Sequence, residues 1–484
     1  MGADRTLIEK SATEIVDLLK QGEVSALDLI DTLEQRIAEA DPAVNALPTL
    51  CFDRARDHAR RLMERKPEDR GMLAGLPVPI KDLVPVAGVR TTSGSPIFAD
   101  HVPERSESIV TRLEDRGGIV YAKSNTPEFG AGGHTFNEVF GTTVNPWNRE
   151  RSAGGSSGGA AAALATGCAW LAHGSDMAGS LRTPASFCGV VGLRPSPGRV
   201  PTGPDTNPYG LLPVEGPMAR NVTDAALGLD AMTGRDHTVP VASADSGGMF
   251  LEAARNPRKP ARVAFSVDLG LTPVAPAVEA VFRDAVGRLE GAGLPMVEAC
   301  PDFTGTHEAF QVLRAVAYAV ATGPLLESHR DLLKPEVIWN VEKGLALDGR
   351  AIVAAERERV RLFHGAREFL ETHDVIVCPG AIVPPFPKDE RYVGECNGHK
   401  FETYIDWLAI TYGFTLVSLP VICIPCGTTP DGLPAGIQIA GRPGGEAELI
   451  SAARYIEEAL GDWRPAELPE FVVGQGGRSA RKKQ

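Results

Sequence analysis

Residues 154–167 read GGSSGGAAAALATG, and this stretch restricts the fold more than any other. Residues 160–165 hold alanines and one leucine and carry no charge. A helix that is apolar all round has no face for water. The run therefore predicts a buried helix, small enough in side chain to lie tight against neighbouring backbone. The glycines before it predict a turn. A lone serine in such a turn is usually only a turn former. Here Ser156 is followed 24 residues later by Ser180 in a second glycine turn, GSDMAGS, and Lys81 stands upstream in Pro79-Ile80-Lys81-Asp82. Two such serines and a lysine suggest nucleophilic acyl chemistry in which lysine, not histidine, moves the proton.

The remainder alternates helical and strand patterns. Apolar residues recur at helical spacing from Leu7 to Ile37. Ser11…Glu14 reads as a capping box, and Ser25…Asp28 as a second helix start. Short apolar runs at 76–80 and 119–122 read as strands, the first delivering Lys81 at its end. Residues 262–266 and 375–378 read as buried strands, and 277–292, 308–328 and 350–372 as helices. Residues 379–401, rich in proline, glycine and charge, read as a loop near a substrate entrance. The tail 474–484 reads as disordered. Alternating short strands and helices predict an α/β fold, a sheet with helices on both faces.

Several blocks in order resemble the amidase signature family of serine hydrolases. They are GLPVPIKDLVPVAGVRTTSGSP, AKSNTPEFG, GGSSGGAAAALATG, GSDMAGS, PASFCGVVGLRPS, VEGPMARNVTDAALGLDAMTG and LPAGIQIAGRPGGEAELISAARYIEEAL. The resemblance spans about residues 10 to 460. It implies the amidase signature fold, a large mixed central β-sheet in one domain, residues 1–473. Within it lie an N-terminal helical segment (about 5–70), a catalytic core (about 75–235), a variable substrate-shaping region (about 236–410) and the C-terminal part of the core (about 411–462).

The resemblance also implies roles. Ser180 is the nucleophile, Ser156 the bridging serine held by a cis Gly155–Ser156 peptide, and Lys81 the general base. Met177, Ala178, Gly179 and Ser180 supply backbone N–H groups to the oxyanion. Ser157, Asp176 and Arg182 are candidate supports, the last two pairing to brace the turn. Ala178 stands where the family usually has glycine, and a positive φ there would strain it. Lys81 must be neutral to act, although a free lysine titrates at about 10.4. Burial lowers that value, and strand geometry points the adjacent Asp82 the other way. Phe129, Gly130, Gly132, Tyr318 and Trp407 are candidate pocket residues, from variable segments at 129–135, 201–212, 310–318 and 379–407. The activity implied is hydrolysis of a non-peptide carboxamide through an acyl-enzyme, with ester or carbamate cleavage beside it. The glutaminase subunit of a tRNA-dependent amidotransferase is the alternative, and a catalytically silent scaffold a third reading. The segment 124–129 and Met177-Ala178 look more like free-standing amidases.

Other patterns carry less. The net charge of −13 argues against non-specific nucleic-acid binding. No signal segment or membrane-length apolar run is apparent, so a cytoplasmic protein is expected, with no membrane partner. Met1-Gly2 with Thr6 matches a myristoylation pattern, but no basic cluster follows it to reinforce an anchor. Eight scattered cysteines read as reduced thiols. Cys423-Ile-Pro-Cys426 has no second pair at metal spacing, and the ten histidines show no H-E-x-x-H. No metal or cofactor is expected. A small-molecule amide is the expected partner, with a homodimer left open.

Overall fold

The structure, a computed structural model, describes residues 4–202, 207–242, 247–464 and 468–473. Met1, Gly2 and the tail 474–484 lie outside the described residues, as does part of the variable segment 201–212. After a short helical turn at Arg5–Ile8, helices α1 (Ala12–Gln21) and α2 (Ala26–Val44) each carry a complete capping box. Ser11 and Ser25 accept from the backbone of Glu14 and Asp28, whose carboxylates reach back to the cap amides.

Strands β1 (Thr49–Leu50), β2 (Pro77–Lys81) and β3 (Ile119–Ser124) form a small sheet in the order β1-β3-β2. Helix α3 (Gly158–Ala165) is buried at every position, as its composition requires. An eight-stranded sheet forms the centre. Its strands are β4 (Leu171–Asp176), β5 (Val191–Arg194), β6 (Val214–Ala219), β7 (Val263–Phe265), β8 (Met296–Glu298), β9 (Val375–Pro379), β10 (Val421–Thr428) and β11 (Pro434–Ala440). The order is β8-β7-β9-β11-β10-β5-β6-β4. Strands β8, β7 and β9 run parallel, and every pairing from β9 onward to β4 is antiparallel. The alternating pattern predicts an α/β sheet, and its mixed character is what the resemblance implies.

Helices flank the sheet on both faces. Helix α4 (Arg182–Cys188) packs on β5, β10 and β11, while α5 (Pro276–Gly291) and α10 (Glu446–Leu460) pack together against β10. Helices α6 (Thr306–His329), α7 (Pro335–Leu345) and α8 (Gly349–Thr372) form a helical layer, with α6 packed on both others. The stretch Thr306–Leu332, which contains α6, is long and apolar enough to cross a membrane by length and composition. In this fold Phe310 and Leu313 of α6 sit in the core, and its Arg314 and Gln311 hydrogen-bond to neighbouring elements. Helix α9 (Ala409–Leu416) is buried throughout.

Two features bear directly on function. Strand β2 ends at Lys81 beside the edge strand β4, where the Lys81 N–H donates to His173 Nδ1 at 3.3 Å. A separate apolar cluster of Ala131, Tyr318, Leu326, Leu333, Val337 and Val341 joins α6 and α7 to the loop after residue 128.

Candidate active site

Lys81 is wholly buried, and its side-chain nitrogen meets three hydroxyls. Nζ lies 2.7 Å from Ser156 Oγ, 2.9 Å from Ser157 Oγ and 3.0 Å from Ser175 Oγ. Among the described residues no carboxylate touches it. Asp82 points elsewhere, accepting from Thr92 Oγ1 at 2.5 Å and standing 3.5 Å from Lys123 Nζ. Burial pushes Lys81 down to about 7, against the opposing pull of Glu215 and Asp176. An amine of that kind exchanges a proton with a serine hydroxyl near neutral pH.

Ser156 follows a cis Gly155–Ser156 peptide bond. The next amide, Ser157 N–H, donates to the Ser180 carbonyl at 3.2 Å, so the two glycine turns are joined directly. Helix α3 then starts against other backbone. A Cβ on Gly159 would overlap the Asn125 amide nitrogen, which is why this helix opens with glycine.

The second turn is braced by charge. Asp176, at the end of β4, accepts from Gly179 N–H at 2.9 Å and Leu181 N–H at 3.1 Å. Arg182 donates to both carboxylate oxygens, each at 2.9 Å. Its remaining donors reach the Thr411 carbonyl, Gln438 Oε1 and Thr415 Oγ1. Burial would raise Asp176, but Arg182 and Arg194 outweigh it and hold the carboxyl well below the usual range. Thr411 Oγ1 donates to the Ala178 carbonyl at 2.6 Å. Gly179 takes φ +104°, and a Cβ there would come within 2.5 Å of Thr411 Oγ1, so only glycine fits.

These contacts change two expectations. Gly179 was expected among the oxyanion donors, but its N–H is committed to Asp176 Oδ1. The N–H groups of Met177, Ala178 and Ser180 have no acceptor among the described residues. Ala178 is not at positive φ; the left-handed residue is Gly179, so alanine sits at 178 without that strain.

A family profile for amidases matches residues 28–450. The chain belongs to the amidase signature family. It is an amidase, a hydrolase of carbon–nitrogen bonds other than peptide bonds. An acylamidase of Rhodococcus erythropolis is 35% identical over 470 residues, covering 96% of this chain and 98% of that one. A glutamyl-tRNA(Gln) amidotransferase subunit from Moorella thermoacetica is 33% identical over 482 residues, covering 93% and 96%. Among solved structures, a bacterial aryl acylamidase of the amidase signature family superposes with TM-score 0.86 at 27% identity, covering 93% of this chain and 96% of that one. A 6-aminohexanoate cyclic dimer hydrolase, complexed with substrate, gives 0.85 at 28%, covering 96% and 99%.

Around the two turns of this amidase apolar side chains form a wall. Gly130 lies against Ser156; a Cβ on it would sit 3.5 Å from Ser156 Oγ. Phe129 is half-buried at φ +48°, and Tyr318 O–H donates to its carbonyl at 3.4 Å. Met177, Ile97 and Ile338 pack with Phe129 on the Tyr318 cluster. Gly132 has Lys334 Nζ as the nearest atom to its missing side chain. Lys334 holds this loop twice, through Nζ to the Ala131 carbonyl and through its N–H to Glu128 at 2.7 Å. Trp407 departs from the expected list: it is 1% exposed, edge-on to Phe386, and belongs to the core beneath Gly133.

Two contributors escape motif reading. Thr411 comes from an element with no catalytic pattern, and His173 lies on β4 immediately before the GSD block, outside it. Ser175 was visible as the hydroxyl residue of the GSD block, and its place two residues before the turn on β4 aims it at Lys81.

Residues 379–401 pack beside this site. The Phe386 carbonyl accepts from Ser152 N–H at 2.8 Å, and a short hairpin pairs Glu395–Cys396 with His399–Lys400. His134 Nε2 faces the Lys388 carbonyl at 2.8 Å, so that nitrogen carries the proton, and Nδ1 accepts from Ser152 O–H at 2.7 Å. This serine–histidine pair is structural, since Ser152 Oγ also receives the Gly154 N–H at 3.0 Å. Burial pushes His134 down to about 4 from 6.5. Between those values the unfolded chain binds a proton that the native state excludes. Stability is full above about pH 6.5 and falls toward pH 4, by about 3 kcal/mol at most. Denaturant midpoints of wild type and His134→Asn between pH 7 and 4 check this. The wild type should lose more stability than the variant across that window, and parallel losses would refute it.

Proposed function

We propose that this amidase cleaves small carboxamides through an acyl-enzyme on Ser180. Neutral Lys81 takes the Ser156 proton as Ser156 takes that of Ser180. The Ser180 oxygen attacks the carbonyl carbon. The tetrahedral oxyanion receives hydrogen bonds from two or more of the Met177, Ala178 and Ser180 N–H groups. Lys81 and Ser156 then return the proton to the departing nitrogen, the C–N bond breaks, and water repeats the sequence on the ester. The observation that carries this reading is a buried lysine amine held, among the described residues, by serine hydroxyls alone, with Ser157 tied to Ser180. Phe129, Met177 and Tyr318 suit an apolar acyl group. The acylamidase and aryl acylamidase relatives support the same choice.

A serine-reactive fluorophosphonate with peptide mapping tests the assignment. The adduct is expected on Ser180, with the labelling rate falling about tenfold per pH unit below pH 7 as Lys81 gains its proton, and flat above about 8. Lys81→Ala should slow labelling by at least 100-fold. An adduct on Ser156 or Ser152 would overturn it. The glutaminase reading draws on relatives such as the Moorella protein. Ammonia release from glutamine only on addition of partner subunits would favour it.

A further inference from the structure

A buried pair behind the Lys81 main chain has no part in the steps above. His173, on β4, is fully buried, and its Nδ1 accepts the Lys81 N–H. An accepting Nδ1 carries no proton, so the ring is neutral with its hydrogen on Nε2. That nitrogen lies 2.6 Å from Glu215 Oε2. Glu215, on β6, stands directly opposite Ser175 in the β4–β6 register, and residues so paired share a face. Ser175 Oγ in turn holds Lys81 Nζ at 3.0 Å. Glu215 therefore stands on the face of the sheet that bears the catalytic amine.

The other charges around Lys81 are matched. Asp82 faces Lys123, and Asp176 faces Arg182 and Arg194. Ser156, Ser157 and Ser175 are uncharged. Glu215 differs because the ring against its carboxylate is neutral. With the side chain only 11% exposed, its field reaches Lys81 with little screening by solvent. Of the influences that oppose burial at Lys81, Glu215 is the strongest. Such a counterweight has a chemical use. An amine driven too far toward neutrality cannot return a proton to the leaving nitrogen.

We propose that Glu215, oriented by His173, is a positioning residue that sets the pH at which Lys81 becomes an active base. The inference rests on Lys81 being that base. Glu215→Gln keeps the size and an oxygen beside His173 and removes the charge. The acid limb of Ser180 labelling by fluorophosphonate should move down by about one pH unit. Well below the limb, labelling relative to the plateau should then be about tenfold higher than in wild type. Glu215→Asp should return the limb toward its original position. His173→Gln, which loosens the carboxylate without removing it, should move the limb the same way but less. It also serves if the first variant does not fold. A uniform loss of rate at every pH, with the limb unmoved in Glu215→Gln and His173→Gln, would overturn the proposal and leave the pair structural. A limb that persists in Lys81→Ala would instead sink the assignment of Lys81 itself. A limb lost in Lys81→Ala but unmoved by Glu215→Gln would sink this inference alone.

Discussion

Ser180→Ala is expected to lower kcat by roughly 10⁴–10⁶-fold, the loss seen when a serine nucleophile is deleted. The thermal midpoint should hardly change. Ser180 is the most exposed of the three candidate catalytic residues, at 9%, and the turn around it is held by main-chain, Asp176 and Thr411 contacts. Loss of activity without loss of stability marks a residue kept for chemistry. Adding Lys81→Ala to Ser180→Ala should cost little more, because the groups act as one unit. Steady-state kinetics and calorimetry on the two single variants and the double check this. Residual kcat within tenfold of wild type in Ser180→Ala would remove Ser180 from the mechanism.

Arg182→Met should have the largest effect on stability. Arg182 is fully buried and makes five hydrogen bonds, two to Asp176 and three to α9 and β11. Its loss leaves Asp176 buried with Arg194 as its remaining cation. Breaking a buried pair on one side costs about 3–5 kcal/mol. Arg182→Lys should recover little, since an ammonium cannot reproduce a planar five-donor fork. Denaturant midpoints should fall sharply in both. A loss under about 1 kcal/mol in Arg182→Met would show that the bridge is dispensable. Activity should fall as well, because the same carboxylate holds the Gly179 amide beside Ser180.

Much of this was legible in the chain, and the gaps have physical causes. The caps at Ser11 and Ser25, helix α3 and the strand at Val375–Pro379 follow from local pattern, and each forms where expected. Helix α9 does not announce itself, because it is buried on every side and shows no period. Helix α7 is blurred by Glu336 and Asn340, polar residues on its buried face that pair with Arg391, Tyr404 and the helix's own backbone. In the site, Ser156, Ser180 and Lys81 carry motifs, and the meeting of Ser156 with the Lys81 amine could be anticipated, whereas the contacts of Ser157 and Ser175 with that amine could not. Which N–H groups stay open could not be anticipated either, because Asp176 selects Gly179 by geometry. The His173–Glu215 pair joins two strands across 42 positions of sequence and has no local signature.

The buried amine of Lys81 has one further consequence, for how such a chain drifts. Below about pH 10 the unfolded protein takes up a proton at this lysine that the native protein declines until about pH 7. That difference opposes folding, by about 5 kcal/mol once the pH is near or below 7. An apolar replacement at 81 would lift the burden and hand the molecule a sturdier fold with no chemistry. On the proposed reading, a lysine kept at this position records demand for turnover, since stability alone would discard it.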